Sequence, residues 1–372
     1  MKALALVDAP DHVCCRYRLR GFEPALAKAG WSLTLQGIEK GVFGRLAQLG
    51  RVAEYDAVVL QRKLLPSWQF HVLRRRAKRL IFDFDDAVLH RDSYDPRGLH
   101  SRQRAARFAT TVSRVDTVLA GNDFLADCAL RAGARPESVQ VIPTCVDTAR
   151  YPVLTKDKPQ SGGLDLVWIG SSSTLQGLEA QRALWERIGR EVPGVRLRLI
   201  CDRFPRFEPL PVVEVPWAGA TEAAALAEGD VGISWVPDDL WSRGKCGLKI
   251  LQYQAAGLPV IANPVGVHPE MIEAGVSGFL PSGPDEWVEA VRTLRDDPRL
   301  RERMSAAARV SVRAGYSLNV WSETFVASIA EPGRSGFSPS ANHNSSALRG
   351  LVRQKPAAGS RRSPRDARVD AP

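Results

Sequence analysis

Short apolar runs alternate with amphipathic stretches through most of this 372-residue chain. Aliphatic runs bounded by polar or glycine positions predict buried strands. In the first half the predicted strands are residues 2–8, 31–36, 56–61, 80–84, 116–120 and 139–143. In the second half they are residues 164–169, 196–201, 212–215, 231–235 and 260–262. Helices are predicted over residues 21–29, 100–114, 124–132 and 286–330. This alternation predicts the α/β class, with two mostly parallel sheets.

A polar stretch rich in Pro and Gly, residues 155–163, interrupts this pattern, and a new strand follows it directly. We therefore predict one domain over residues 1–155 and a second over residues 164–315. From Glu331 onward, eight Lys or Arg stand against three Asp or Glu, and Ser, Pro, Gly and Ala dominate. Such a segment cannot bury a core, so residues 331–372 are predicted to form a disordered basic tail.

The composition, with 44% hydrophobic and 25% charged residues, is typical of a soluble globular protein. No apolar run reaches the roughly 18–20 residues that a membrane span needs, and no secretory cleavage pattern follows the first strand. We therefore expect a soluble, cytoplasmic protein. The six cysteines and six histidines show neither a Cys-x-x-Cys pair nor a metal-ligand spacing, so we expect no metal site.

Residues 241–266 carry the most specific chemical pattern in the chain. Gly244 and Gly247 let the backbone approach a ligand closely, and a helix is predicted to begin near Gly247 with its free amides facing the loop. Three cations lie within about one and a half turns of that helix end: Arg243, Lys245 and Lys249. A helix N-terminus attracts anions, so the arrangement indicates a bound diphosphate. An ordinary amphipathic helix with solvated lysines is the alternative.

The sequence Ala-Ala-Gly-Leu-Pro-Val at residues 255–260, with the loop before it, resembles the donor-binding segment of the group 1 (family 4) glycosyltransferases. In that family the segment usually reads Glu-Gly-Phe-Gly-Leu, a few residues, then Glu-Ala-Met-Ala-x-Gly-x-Pro-Val. Gly244 stands at the first glutamate and Gln252 at the second, so both carboxylates are absent. The two lysines and Tyr253 instead resemble a subset written Gly-Lys-x-x-x-Lys-x-x-x-Tyr.

Two further segments resemble the same family. Arg-Tyr-Arg at residues 16–18 matches the start of the subset, and residues 141–147 resemble the Ile-Pro-Asn-Gly-Val-Asp that precedes the hinge. The resemblance covers about residues 1–330 and implies the GT-B architecture, in which two Rossmann-like domains face a cleft. It also implies that the last helix, residues 316–330, crosses back to the first domain. The implied chemistry is transfer from a nucleoside-diphosphate sugar with retention of configuration, and no metal or other cofactor is required.

The resemblance also implies roles for individual residues. The diphosphate is expected to contact Arg243, Lys245, Cys246, Gly247, Leu248, Lys249, Gly170 and Ser171. The ribose and base are expected at Gln252 and Trp217, and the sugar at Gly266, Val267 and Glu270. Arg16, Arg18 and Asp83 are expected on the acceptor side. Related enzymes place an arginine and a lysine near the loop of residues 170–177, which has neither, so the cations near the helix end are expected to replace them.

Three carboxylates follow the predicted strand at residues 80–84: Asp83, Asp85 and Asp86. Ligands bind at this edge of α/β sheets, where a carboxylate can act as a base or hold a divalent cation. The metal role of Asp-x-Asp belongs to a different glycosyltransferase fold, and the subset carries Asp-x-Asp-Asp-Ala at this place. We therefore expect Asp85 and Asp86 to be catalytic on the acceptor side, with His90 as a third candidate. Alternatively, one aspartate caps the next helix and the others are solvated.

The net charge of +10 lies partly in the tail and partly in the basic run from Arg74 to Arg79. A solvated face, an anionic membrane surface and nucleic acid compete to explain this run. Acceptors in the resembled family are often lipid-linked, which favours contact with the inner membrane face. No nucleic-acid recognition motif accompanies the run, so we expect no nucleic-acid partner.

The first strand ends without a Gly-x-Gly-x-x-Gly turn, which argues against a nicotinamide-dependent dehydrogenase. The function that the resemblance implies is glycosyl transfer to a hydroxyl acceptor in the assembly of a cell-surface polysaccharide or glycolipid. The alternative is a non-catalytic nucleotide-sugar or polyanion-binding protein of the same fold, because both family glutamates are missing. The donor sugar, the nucleotide base and the acceptor stay open.

Overall fold

The computed structural model describes residues 1–151 and 163–330. Strands β1 to β6 of the first domain are Lys2–Val7, Ser32–Gly37, Ala57–Gln61, Leu80–Phe84, Thr117–Ala120 and Val139–Val141. Helices α1 to α6 are Val13–Arg18, Glu23–Lys28, Val42–Arg51, Ser67–Arg76, Arg102–Val112 and Asp123–Arg131. The strands pair in parallel in the order β2-β1-β3-β4-β5-β6.

The second domain repeats this arrangement. Strands β7 to β12 are Leu164–Ile169, Val195–Cys201, Val212–Pro216, Val231–Ser234, Val260–Ala262 and Gly278–Phe279. Helices α7 to α15 are Ser172–Ala180, Arg182–Glu191, Glu222–Ala227, Leu240–Arg243, Leu248–Ala255, His268–Met271, Pro284–Asp296, Pro298–Tyr316 and Leu318–Ala330. The strands are again parallel, in the order β12-β11-β10-β7-β8-β9. The predicted pair of parallel sheets is confirmed.

The central strands are aliphatic because helices cover both faces of each sheet. Every residue of β3, β4 and β7 is buried. Each fully buried Val, Leu, Ile or Phe side chain contributes roughly 1.5–3 kcal/mol of transfer free energy. Because the strands are parallel, their carboxyl ends meet at one edge of each sheet, where the candidate site residues follow the strands.

The last helix, α15, packs on the first domain. Its Phe325 ring stacks on Phe22 with the ring centroids 4.2 Å apart. The chain crosses over beside Val146, whose amide donates to Tyr316 O and whose carbonyl accepts from the Leu318 amide, at 2.9 and 3.1 Å. The preceding helix, α14, packs on α11 of the second domain.

Some predicted elements differ from the observed ones. The predicted helical stretch of residues 286–330 is interrupted twice, because Asp297 caps a new helix that begins at Pro298 and Ser317 has an extended backbone. Helices α3 and α4 were not predicted, since few apolar residues mark their buried faces. The predicted linker lies almost wholly outside the described residues, and the predicted tail lies entirely outside them. Over the described ranges, the helices are too short or too polar to cross a membrane.

Candidate functional site

The loop before α11 packs directly on the first domain. A Cβ atom added at Gly244 would lie 2.7 Å from Ala87 Cβ, and one added at Gly121 would lie 2.3 Å from Cys246 Sγ. No side chain fits at position 244 in this arrangement, which explains why glycine replaces the family's first glutamate. Cys246 points into the core of the first domain. This orientation corrects the expectation for Cys246, since only its backbone remains for a diphosphate.

Helix α11 begins at Leu248, directly after Gly247, whose φ of 62° is a left-handed value that favours glycine. No side chain caps this end of the helix. The first amides of α11 are therefore left for a ligand, and their partial positive charge favours an anion. At the other end Gly257 has a φ of 75°, as a left-handed helix terminator requires.

Lys249 lies at the start of α11 beside the loop that follows β7. Its Nζ atom is 5.0 Å from the centroid of the Trp168 ring. That ring covers Gly170, where an added Cβ would lie 2.4 Å from it. Burial, together with the charge of Lys245, lowers the pKa of Lys249 to about 8. Within residues 1–151 and 163–330 no carboxylate forms an ion pair with this half-buried ammonium group, and the charge of Asp86 only partly offsets the lowering of its pKa.

The other two predicted cations have different surroundings. Lys245 Nζ lies 5.5 Å from the centroid of the Trp241 ring. Arg243 is half exposed, and its Nε donates to Asp238 Oδ1 at 2.7 Å. Arg243 therefore already has a carboxylate partner, whereas the two lysines lie against tryptophan rings.

The loop after β7 is partly occupied by its own helix cap. Ser171 and Thr174 form a reciprocal capping box at the start of α7. The Asp202 carboxylate accepts from Ser172 N at 2.6 Å and from Ser172 Oγ at 2.8 Å. A carboxylate thus already lies at the N-terminus of α7. Of the two residues predicted here, Gly170 borders the Trp168 ring and Ser171 serves as a helix cap.

Asp85 and Asp86 follow β4, as predicted, and Arg62 from the end of β3 holds both. The Arg62 guanidinium donates to Asp86, and its Nε is 3.5 Å from Asp85 Oδ1. Arg62 has a φ of 58° and is the one non-glycine residue of the described ranges with such a left-handed backbone. Its amide donates to Asp83 O at 2.8 Å. Burial raises the pKa of Asp86 even though the charges of Arg62 and Lys245 lower it. Strained residues of this kind persist where the surrounding structure holds them.

Arg18 and Asp83, both predicted on the acceptor side, are buried against each other. Arg18 Nη2 donates to Asp83 Oδ1 at 2.5 Å, and the two side chains are 2% and 0% exposed. Gln61 Nε2 donates to the other carboxylate oxygen at 3.1 Å. Neither side chain can reach an acceptor in this structure, which corrects the prediction. The pair instead stabilises the end of β4 from which Asp85 and Asp86 project.

His90 is partly exposed and packs edge-on against His100, with the ring centroids 5.7 Å apart. Burial and the neighbouring His100 lower the pKa of His90. The ring of His90 therefore contacts another histidine. In the part of the chain that the structure describes, no cluster of His, Cys, Asp or Glu is arranged to hold a metal ion.

Glu222, at the start of α9, joins the two domains. Its Oε1 accepts from Arg16 Nη2 and from Tyr17 Oη, both at 2.8 Å, and its Oε2 accepts from Trp217 Nε1 at 2.9 Å. Gln252 Nε2 donates to Tyr17 Oη at 3.0 Å. Arg16, expected on the acceptor side, thus meets Trp217, expected on the donor side, at one carboxylate, and Gln252 joins this network through Tyr17. No sequence pattern indicated Glu222, because it lies 206 residues from Arg16.

A cavity of about 330 Å³ lies between the domains. The three predicted sugar-pocket residues, Gly266, Val267 and Glu270, line it together with Arg243. Residues at the start of α6 close it from the first domain. Burial and the nearby Asp123 raise the pKa of Glu270. Lys249 is not among the lining residues, so this cavity is separate from the place where that lysine lies.

The basic run after Phe70 is not one solvated face. Arg74 Nη1 donates to Asp116 at 2.6 Å, and Lys78 Nζ donates to Asp56 at 3.2 Å. Arg79 is buried and donates to Thr117 Oγ1 and Ser328 O. Only Arg75 and Arg76 remain exposed without an ion pair among the described residues. This corrects the expectation that the whole run from Arg74 to Arg79 faces a membrane.

Residues 241–311 match the family model described as glycosyl transferases group 1. Among curated proteins, a D-inositol 3-phosphate glycosyltransferase of Actinosynnema mirum is 28% identical over 264 residues, which are 62% of this chain and 61% of that protein. This chain matches only part of the first curated relatives, from 14% to 61% of their own length.

Two solved structures resemble the fold over most of the chain. Anabaena HepE in complex with UDP and glucose has a TM-score of 0.63 at 16% identity, and the match covers 89% of this chain and 99% of that one. The sucrose-phosphate synthase of Thermosynechococcus elongatus has a TM-score of 0.68 at 16% identity, with 87% and 96% covered. Together with the two parallel sheets, these likenesses confirm the predicted GT-B architecture.

Proposed function

We propose that this chain is a glycosyltransferase that moves a glycosyl group from a nucleoside-diphosphate sugar to a hydroxyl acceptor. The observation that carries the proposal is Lys249, a half-buried cation without an ion pair in the described residues, beside the uncapped start of α11. Both features lie inside the segment that matches the group 1 family. A diphosphate satisfies the ammonium group and the free amides together. The UDP bound to Anabaena HepE supports a nucleotide donor of this class.

The proposed reaction breaks the bond between the anomeric carbon and the diphosphate oxygen, and the electron pair leaves with the nucleoside diphosphate. Lys249, Lys245 and the α11 amides stabilise the leaving group more as its negative charge develops, which lowers the barrier. The acceptor oxygen bonds to the anomeric carbon, and its proton passes to the Asp85–Asp86 pair. Burial has raised the pKa of Asp86, which makes it a better proton acceptor than a solvated aspartate.

Retention of configuration is part of the proposal because the donor segment resembles retaining enzymes. We further propose that the acceptor belongs to a cell-surface polysaccharide or glycolipid and is reached from the cytoplasm. On the donor side, Trp217 is 41% exposed, so one face of its ring remains available to a nucleotide base. Gln252 is bound to Tyr17 in this arrangement, so a ribose hydroxyl has to replace that phenol.

The test is thermal unfolding of the full chain with UDP, GDP, CDP and ADP. A ligand that binds only the folded state raises the melting temperature, so we expect a rise with one of these nucleotides. The matching sugar nucleotides are then incubated with the protein, and release of the nucleoside diphosphate is measured with and without candidate acceptors.

Each outcome distinguishes the candidate functions. A rise in melting temperature followed by slow donor hydrolysis supports the transferase. A rise without any release of nucleoside diphosphate favours the non-catalytic binding protein, which the two missing glutamates keep as the second candidate. The absence of a rise with all four nucleotides contradicts both nucleotide-based functions.

A further inference from the structure

Three exposed apolar side chains lie in the first turns of α3 and α4. Val42, Phe43 and Trp68 are 52%, 88% and 49% exposed. The two helix starts are neighbours, because Arg45 in α3 donates to Gln69 Oε1 in α4 at 3.1 Å. Two aromatic rings and a valine are therefore exposed at one end of two packed helices, and grouped exposed apolar side chains mark interaction surfaces.

The same two helices carry five arginines and no acidic residue: Arg45, Arg51, Arg74, Arg75 and Arg76. Arg51, Arg75 and Arg76 are exposed. The nearest acids along the chain from α3 are Glu39 and Glu54, on either side of the helix. Aromatic residues combined with arginines, without interspersed acids, are typical of helices that lie on anionic lipid.

The order of these residues along each helix fits a flat contact. In α3 the outward positions Phe43 and Arg51 are eight residues apart, so they share one helix face. In α4 Trp68 and Arg75 are seven residues apart and also share a face. Each helix thus presents an aromatic residue at its start and a cation at its end to the same side.

This surface adjoins the acceptor end of the cleft. Helix α3 follows β2 and α4 follows β3, so both begin at the carboxyl edge of the sheet. Asp85 and Asp86 project from the same edge, after β4, which is the neighbour of β3. A molecule held against Trp68 therefore lies on the side of the domain from which an acceptor reaches the aspartates.

We propose that the outward face of α3 and α4 docks on an anionic lipid bilayer. Phe43 and Trp68 enter the headgroup region, and Arg51, Arg75 and Arg76 contact lipid phosphates. This inference extends the proposed function, because it names a bilayer as the place where the acceptor is held. The biological role of the docking therefore rests on the proposed function. Lipid binding itself is measured without donor or turnover, so the failure of one proposal is distinguishable from the failure of the other.

The test is co-sedimentation of the full chain with phosphatidylcholine vesicles that contain or lack phosphatidylglycerol. We expect binding to the anionic vesicles that weakens as salt is added, because salt screens the arginines. The paired substitution Phe43→Ser and Trp68→Ser should abolish most of this binding. Arg75→Gln with Arg76→Gln should weaken it by about fivefold per arginine.

Matched controls come from surfaces that lie elsewhere. Leu130 is 39% exposed on α6, and Arg299 and Arg303 are exposed on α14. Leu130→Ser and the pair Arg299→Gln and Arg303→Gln should leave vesicle binding unchanged. All variants should keep the wild-type melting temperature and its nucleotide-induced rise, which shows that they fold.

Two outcomes overturn the proposal. The first is a wild-type chain that sediments with neither kind of vesicle at low salt. The second is binding to anionic vesicles that the Phe43 and Trp68 substitutions leave intact, because the attraction then comes from net charge elsewhere in the chain.

Discussion

The cleft-facing edges of the two sheets differ in how their charges are partnered. At the edge of the first domain, cations pair with carboxylates: Arg18 with Asp83, and Arg62 with Asp85 and Asp86. At the edge of the second domain, the described residues supply no carboxylate that ion-pairs with Lys249, which lies against a tryptophan ring. The first edge therefore pairs each of its two cations with at least one of three carboxylates, whereas the second leaves Lys249 without an ion pair among the described residues.

This difference indicates what each edge is built to do. Removing one partner of a buried ion pair leaves an uncompensated charge, so paired residues fix the geometry of the groups that they hold. A desolvated cation without a partner lowers the stability of the free protein, and a bound anion offsets that loss. We therefore infer that the first edge positions reacting groups, while the second binds the diphosphate.

The largest effect is expected from Lys249→Met, which removes the charge and keeps most of the apolar stem. Loss of one group that stabilises a leaving anion lowers turnover by about 100-fold or more. The free energy of unfolding should not decrease, because the substitution also removes a desolvated ammonium group. Donor kcat/KM and urea unfolding measure the two effects.

Arg299→Gln provides the control for this variant, since it removes an exposed cation from the same domain. It should leave both turnover and stability near the wild-type values. If Lys249→Met binds nucleotide as tightly as the wild-type chain, the second edge does not serve as the diphosphate site.

Arg62→Gln should have the opposite pattern, with a larger effect on stability and a smaller one on turnover. The substitution leaves Asp85 and Asp86 without their cation, and Arg62 is 22% exposed, so we expect a loss of about 1–3 kcal/mol of unfolding free energy. Turnover should fall about tenfold because the carboxylates lose their position, while nucleotide affinity stays unchanged.

The control for Arg62 is Arg131→Gln, which breaks an exposed pair with Asp127. That change should alter stability by less than about 1 kcal/mol. An Arg62 variant that loses nucleotide affinity but retains stability would instead place Arg62 on the donor side.

Most strands could be predicted from the sequence because buried parallel strands are continuous aliphatic runs. The predicted and observed bounds of β4 and β7 agree, since Leu80–Phe84 and Leu164–Ile169 are apolar runs interrupted only by one aspartate each. Helices α3 and α4 were missed because few apolar residues are buried on their inner faces, Leu49 in α3 and Phe70 and Leu73 in α4, while Phe43 and Trp68 are exposed. The same exposed residues became the proposed lipid surface.

The residues of the candidate site could be predicted only where they lie close together along the chain. Lys249 was identified because the helix start, the glycines and the cations are close in sequence. Glu222 was not, since its partners Arg16 and Tyr17 lie more than 200 residues away. The sequence also cannot show which way Cys246 points, because the first domain against which it packs comes from a different part of the chain.

The most gradual effect, which is small near neutral pH, is a pH dependence of donor affinity that arises from Lys249. Its pKa in the folded protein is about 8, below the 10.5 of an ordinary lysine. The ammonium group is charged below pH 8 and loses its proton as the pH rises. Above pH 8 the affinity for a nucleoside diphosphate should therefore fall by up to about tenfold per pH unit, and level off at the higher pKa of the bound state. Isothermal titration across pH 7–10 measures this fall.

The same group should affect the stability of the free protein in the opposite direction. Because the folded pKa is below the unfolded pKa, the unfolded chain binds more protons between pH 8 and 10.5, so the contribution of Lys249 to stability rises with pH over that range. Lys249→Arg keeps its charge throughout and should remove both trends. If the fall in affinity persists in Lys249→Arg, another group near the diphosphate titrates, and the unpaired charge of the second edge is not Lys249 alone.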